Sequence, residues 1–127
     1  MILFLKGYNM TDQNIFQNYV NVLKNYVTFT GRANRPEYWY FVLVNFIVAI
    51  LIGIVGVMVH LPVLSDIYSL AVLLPSLAVG ARRLHDTDRS GWWLLIGLVP
   101  LIGFIVLIVF FVQKGTEKEN RFGKPVA

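Results

Sequence analysis

The sequence predicts an all-α membrane protein: a small transmembrane helical bundle of three spans preceded by an amphipathic interfacial helix. Three observations carry that expectation. The 127 residues are 57% hydrophobic and only 14% charged, whereas a soluble domain carries roughly 25% charged residues. The charges are also sorted by position. The two stretches Tyr38 to Ala81 and Trp92 to Val112 make up about half the chain, yet Asp66 is the one charged residue in either of them. Every other lysine, arginine, aspartate and glutamate lies outside. Finally, the basic residues flank the apolar runs, where they act as determinants of membrane topology. Intrinsic disorder is excluded by this composition, and a soluble enzyme is disfavoured.

The elements follow in chain order. Residues 1–11 form an apolar lead with no partner pattern, expected to be an extension without fixed structure, and Met10 is an alternative start. From Asp12 to Val27, Ile15, Phe16, Tyr19, Val22, Leu23 and Tyr26 recur at steps of three and four. Gln13, Gln17, Asn18, Asn21, Lys24 and Asn25 occupy the opposite side, which defines an amphipathic helix within 12–30. Such a helix lies in the membrane interface or packs on the cytoplasmic end of the bundle.

The segment Gly31-Arg32-Ala33-Asn34-Arg35-Pro36-Glu37-Tyr38-Trp39 leads into the first span. Asn34 and Glu37 have capping-box spacing, and Pro36 loses only an N–H that the first helical turn leaves unpaired. Tyr38, Trp39 and Tyr40 are expected as interface anchors. About 20 apolar residues cross a hydrocarbon core of about 30 Å. The run from Tyr38 to Ala81 is more than twice that length and so suffices for two crossings, near 38–59 and 66–84. His60, Leu61, Pro62, Ser65 and Asp66 make the turn between them. The first apolar run begins too late for a signal peptide, so the chain is expected to stay uncleaved in the membrane.

Around the second boundary, Arg82, Arg83, His85, Asp86 and Arg89 precede Trp92 and Trp93, a second pair of interface anchors. Arg82 and Asp86 are four apart and Arg83 and Asp86 three apart, so local pairing can neutralise most of the loop. Arg83 falls on one helix face with Ser69 and Ser76, with Glu37 as its natural partner at matching depth. Asp88 or Ser90 can cap the third span, near 92–112. His85 beside carboxylates invites an acid/base role, but no nucleophile or metal set accompanies it, and a loop histidine held by Asp86 is the simpler assignment.

Lysine and arginine number four before the first span, none in the first loop, three in the second and four in the tail, 113–127. The first three numbers place the N-terminus and the arginine loop in the cytoplasm. The tail disagrees, because three full crossings put its basic residues outside. A re-entrant hairpin bending at Gly97, Pro100 and Gly103 would return them, at the cost of non-helical backbone at membrane depth. Three crossings is the leading arrangement.

The sequence has no cysteine, and His60 and His85 stand far apart with no i, i+4 relation, so neither a thiolate nor a histidine metal site is supported. No cofactor and no nucleic-acid partner is expected, the basic residues being explained by topology. The spans hold no ionisable group at depth, and the small pairs Ala49/Gly53 and Ser76/Gly80 suit close helix packing. The distinctive polar residues collect on one face: Arg32, Arg35, Glu37, Arg82, Arg83, His85, Asp86 and Arg89. They are candidate contacts for anionic membrane lipid or a membrane partner protein, and homo-oligomerisation is open. A small transporter or channel subunit is the alternative, since Gly97, Pro100 and Gly103 can break the third span.

Gly-Arg-x-x-Arg-x-Glu-Tyr-Trp at 31–39, Pro-Ser-Leu-Ala-Val-Gly-Ala-Arg-Arg-Leu-His-Asp-Thr at 75–87, Arg-Ser-Gly-Trp-Trp at 89–93, and Gly115-Thr116 with Asn120-Arg121-Phe122-Gly123 form four ordered motifs. Together they resemble the domain-of-unknown-function 805 family of small bacterial inner-membrane proteins. The resemblance implies residence in the bacterial inner (plasma) membrane, multi-pass, and assigns no catalytic residue. Asp88 stands where that family usually has glycine, and Glu117-Lys118-Glu119 replaces a glycine-containing tail segment.

Overall fold

The computed structural model describes residues 15–125. The N-terminal extension, the Met10 start and the first residues of the amphipathic segment lie outside the described residues. Among these, helices are the only regular elements: α1 (Ile15–Lys24), α2 (Arg35–Met58), α3 (Val63–Asp86), a 3-10 helix (Gly91–Leu98) and α4 (Ile102–Val112).

Helix α1 buries Asn18, Tyr19 and Val22. Tyr19 and Val22 join Ala33, Phe41 and Val79 in one apolar cluster, so α1 packs along the bundle. The helix ends at Lys24, before the end of its apolar periodicity, because asparagine side chains compete for its last carbonyls. Asn25 donates to the Asn21 carbonyl at 2.8 Å, and Thr28 Oγ1 donates to Asn25 Oδ1 at 3.1 Å, closing a turn.

Helix α2 starts as the capping signal requires: Asn34 Oδ1 accepts the Glu37 N–H at 2.9 Å, with Pro36 in the first turn. Helices α2 and α3 have 24 residues each, about 36 Å of helix. Both are long and apolar enough to cross a membrane. α3 continues through Pro75, whose missing N–H breaks one rung of the ladder. Most large side chains along both helices face outward, Phe46, Leu51 and Leu70 among them. The buried residues of α3 crowd instead into its last nine positions, Ala78 to Asp86.

The expected third span near 92–112 is not one helix. The 3-10 helix of 8 residues and α4 of 11 residues are arms of about 16 Å each, half a hydrocarbon core. They fold back on each other. Trp93 and Phe110 meet edge to face at 5.4 Å, and the Arg89 guanidinium lies 4.0 Å from the Phe110 ring centre. Two local features make the bend. Leu101 has φ 66°, and the Ile102 N–H donates to the Pro100 carbonyl at 2.7 Å, a positive-φ γ-turn. Gly103 touches the backbone of the opposite arm so closely that a Cβ there would overlap the Ile96 carbonyl. The chain therefore returns to the end it left, and the tail packs beside Asp86.

Candidate functional site

The site is the end of the bundle where the α1–α2 linker, the C-terminus of α3 and the tail meet. Its centre is Asp86. One carboxylate oxygen takes the Arg32 Nε–H at 2.8 Å and the other takes Arg83 Nη1–H at 2.8 Å. Beside it Arg82 Nη1 donates to Glu37 Oε2 at 2.6 Å. Arg83 is 0% exposed, Arg32 and Asp86 5%, and Arg82 6%. Three guanidinium groups therefore face two carboxylates in a nearly dry space, and each nitrogen needs an acceptor.

Backbone carbonyls supply most of them. Arg83 donates to the carbonyls of Phe111, Ala33 and Gln113, and the Trp39 indole N–H donates to Phe111 O at 3.1 Å. The Phe111 and Gln113 carbonyls lie at the end of α4, where a helix leaves them unpaired and with partial negative charge. Arg32 reaches the tail, donating to the carbonyls of Lys118 and Gly123 at 3.0 and 3.1 Å and to that of Thr116. The Thr116 N–H in turn donates to the Asp86 carbonyl at 2.7 Å. Gly115 makes this approach possible, since any side chain there would collide with the Asp86 carboxylate. Arg82 Nε and Nη2 are buried without a hydrogen-bond partner among the described residues.

His85 is fixed on three sides. Nδ1 lies 2.9 Å from the Gly31 carbonyl and so carries the proton of that bond; the ring stacks on Phe122 at 3.9 Å; and its own carbonyl accepts from Asn120 Nδ2 at 2.9 Å. It is not a solvated loop histidine held by Asp86. Two expected pairings, one from spacing and one from depth, also differ. Arg82, not Arg83, pairs with Glu37, and Arg82 does not reach Asp86, because successive helical residues point about 100° apart and Arg83 faces α4. Arg35 is exposed and makes only a long 3.4 Å bond to the Val112 carbonyl. Arg89 covers Phe110 and donates to Gln113 Oε1 at 2.8 Å.

Of the aromatic anchors, Tyr40, Trp92 and Trp93 are exposed, whereas Tyr38 and Trp39 are half-buried against Phe111. Ser90 Oγ caps the 3-10 helix by accepting the Trp92 N–H at 3.2 Å. Among the described residues no group of three or more His, Asp or Glu side chains could hold a metal ion.

A family described as "Protein of unknown function (DUF805)" matches residues 26–124. The chain belongs to the DUF805 family. Two relatives are the inner membrane proteins YhaI and YhaH of Escherichia coli (strain K12). YhaI is 54% identical over 109 residues, covering 84% of this chain and 92% of the relative. YhaH is 51% identical over 111 residues, with 83% and 92% covered. No solved structure matches the chain. The DUF805 match thus takes in α2, α3, the hairpin and the tail, and begins just after α1. Asp88 has φ 60°, a conformation glycine adopts freely and aspartate tolerates better than most residues. Its carboxylate is then placed to accept from Arg121 Nε and the Arg121 N–H at 3.2 Å. Those bonds hold the Asp88 carboxyl below the ordinary aspartate value.

Proposed function

We propose that this protein is a multi-pass inner-membrane protein without enzymatic activity that binds anionic lipid headgroups at one basic end. One observation carries the reading: Arg32, Arg35, Arg82, Arg83, Arg89, Lys114, Lys118, Arg121 and Lys124 gather where α3 ends and the tail returns, and the opposite end, 57–66, has no lysine or arginine. With α2 and α3 crossing the membrane and the hairpin re-entering, loop and tail share one side. The positive-inside bias then makes that side, and the N-terminus, cytoplasmic. α1 lies at the interface there, its Asn18–Tyr19–Val22 face on the bundle and Phe16 outward.

The buried guanidinium groups hold the scaffold, and the exposed Arg35, Lys114, Lys118 and Lys124 meet phosphate. Each is worth about 1 kcal/mol beside an anionic leaflet. Native mass spectrometry of the protein from nanodiscs of mixed phosphatidylglycerol and phosphatidylethanolamine tests this. Retained phosphatidylglycerol that falls in an Arg35, Lys114, Lys118 and Lys124 to glutamine variant supports the proposal; equal retention of both lipids overturns it. The competing reading, a small transporter or channel subunit, is favoured by the broken hairpin, yet its arms touch at Ile96 and Gly103. Substrate flux in proteoliposomes would promote it.

A further inference from the structure

We infer that the pocket between the end of α3 and the 3-10 arm binds an uncharged lipid whose head donates a hydrogen bond through a hydroxyl group. The pocket has a volume of about 450 Å³ and is lined by apolar side chains, including Leu77, Ala81, Trp92 and Leu95, with His85 and Ser90 as its polar exceptions. That size and that largely apolar lining suit a small amphiphile.

Its polar terminus is specific. A carbonyl can only accept, so the Gly31 carbonyl 2.9 Å from His85 Nδ1 places the ring proton on Nδ1. In the neutral ring Nε2 is then an acceptor. It makes no hydrogen bond among the described residues and points toward Gly91, where an added Cβ would come within 3.6 Å of it. Stacking on Phe122 prevents the ring from turning away. An unpaired acceptor at the end of an apolar pocket asks for a donor and rejects a head that has none.

The pocket's setting supplies the apolar body. Leu77 and His85 are eight residues apart on α3, so the pocket runs about 12 Å from the polar boundary into the apolar layer. Trp92, 78% exposed, and Leu95, 56% exposed, form its rim in the surface that the membrane covers. A chain from the surrounding leaflet can enter there while its hydroxyl reaches Nε2. The inference uses the membrane setting proposed above and is independent of anionic headgroup binding.

A diazirine-bearing oleyl alcohol, its methyl ether and the corresponding oleate are added in turn to the full-length protein in phosphatidylethanolamine nanodiscs, and photolabelled peptides are mapped. The alcohol is expected to label the 77–95 region. The ether, with the same chain and no donor, is expected to label it about two- to tenfold less, the span of one hydrogen bond. Leu95→Trp, changed at an exposed rim position, should abolish labelling. His85→Phe keeps the stack on Phe122 and should bring the alcohol down to the level of the ether. Equal labelling by alcohol and ether in the unmodified protein, labelling elsewhere, or stronger labelling by oleate overturns the inference. The first comparison needs no variant to fold. None of the three probes tests phosphatidylglycerol retention, so this proposal and the anionic-lipid proposal fail separately.

Discussion

Asp86→Asn tests whether buried charge locks the tail to the bundle. The substitution keeps the shape of the side chain and removes the counter-charge of two guanidinium groups, Arg32 and Arg83, whose side chains are 1% and 0% exposed. The other carboxylate of the cluster, Glu37, is engaged by Arg82 at 2.6 Å. Breaking a buried pair by removing one partner costs about 3–5 kcal/mol, and asparagine can still accept one bond, so the low end applies, about 3 kcal/mol. Each 1.4 kcal/mol is about tenfold, so tail opening should rise about a hundredfold. Hydrogen exchange at the Thr116 amide, whose acceptor is the Asp86 carbonyl, reads that opening directly. Arg121→Ala is the control: its partner Asp88 is exposed, and a solvated surface pair of this kind adds little. If exchange at Thr116 rises less than tenfold in Asp86→Asn, charge does not hold the tail and the reasoning fails.

A fluorescent protein fused after Ala127 should fluoresce, being on the cytoplasmic side; a dark fusion with periplasmic phosphatase activity in its place would restore three crossings. Gly103→Ala should lose stability by more than the roughly 1–3 kcal/mol of ordinary overpacking, because the obstructing atom is the Ile96 backbone oxygen; an unchanged thermal midpoint would refute the touching arms. Tyr68 donates to Asn45 Oδ1 at 2.5 Å and accepts from Tyr19 at 2.6 Å, so Tyr68→Phe should cost about 1–3 kcal/mol and loosen α1 in hydrogen exchange. Arg83→Lys should lower the thermal midpoint despite keeping the charge, since one ammonium group cannot reach Asp86 and three separated carbonyls together. The Asp88 carboxyl is depressed in the folded chain, so its bonds to Arg121 stabilise above the unfolded value of about 3.9 and are lost as pH falls through the folded pKa. Tail docking should therefore not change through Asp88 between about pH 5 and 8, and Arg121→Gln should raise the Asp88 titration seen by carbon NMR.

Helix starts and apolar lengths were legible because they are local. Asn34 three residues before Glu37 specifies a cap wherever the helix goes, and an uncharged run of about 20 residues specifies a length. The hairpin was legible only as an alternative. Gly97, Pro100 and Gly103 permit a bend, but whether the apolar run from Trp92 to Val112 bends depends on Ile96 meeting Gly103 and Trp93 meeting Phe110, contacts between residues that a straight helix would hold turns apart. The charged site was half legible. Arg83 with Asp86 is an i, i+3 pair and could be read from spacing. Arg32 with Asp86 spans 54 positions, and the tail carbonyls carry no side-chain signal at all. The ordered motifs at 115–123 were the one trace of their role.

The bend and the buried arginines belong to one arrangement. A helix that stops inside a membrane protein leaves its last carbonyls unpaired where water is scarce, and the cost rises with every carbonyl left over. α4 ends at Val112, and the carbonyls of Phe111 and Gln113 are taken by Trp39, on α2, and by Arg83, on α3. Capping by a cation also suits the negative end of the helix. That cation then needs its own counter-ion, which Asp86 supplies, and the second oxygen of Asp86 recruits Arg32, whose remaining donors capture the tail. Each buried polar group thus creates the need met by the next, beginning from a hairpin too short to cross. Those arginines are spent inside the protein, which leaves Arg35, Lys114, Lys118 and Lys124 as the exposed basic rim around them.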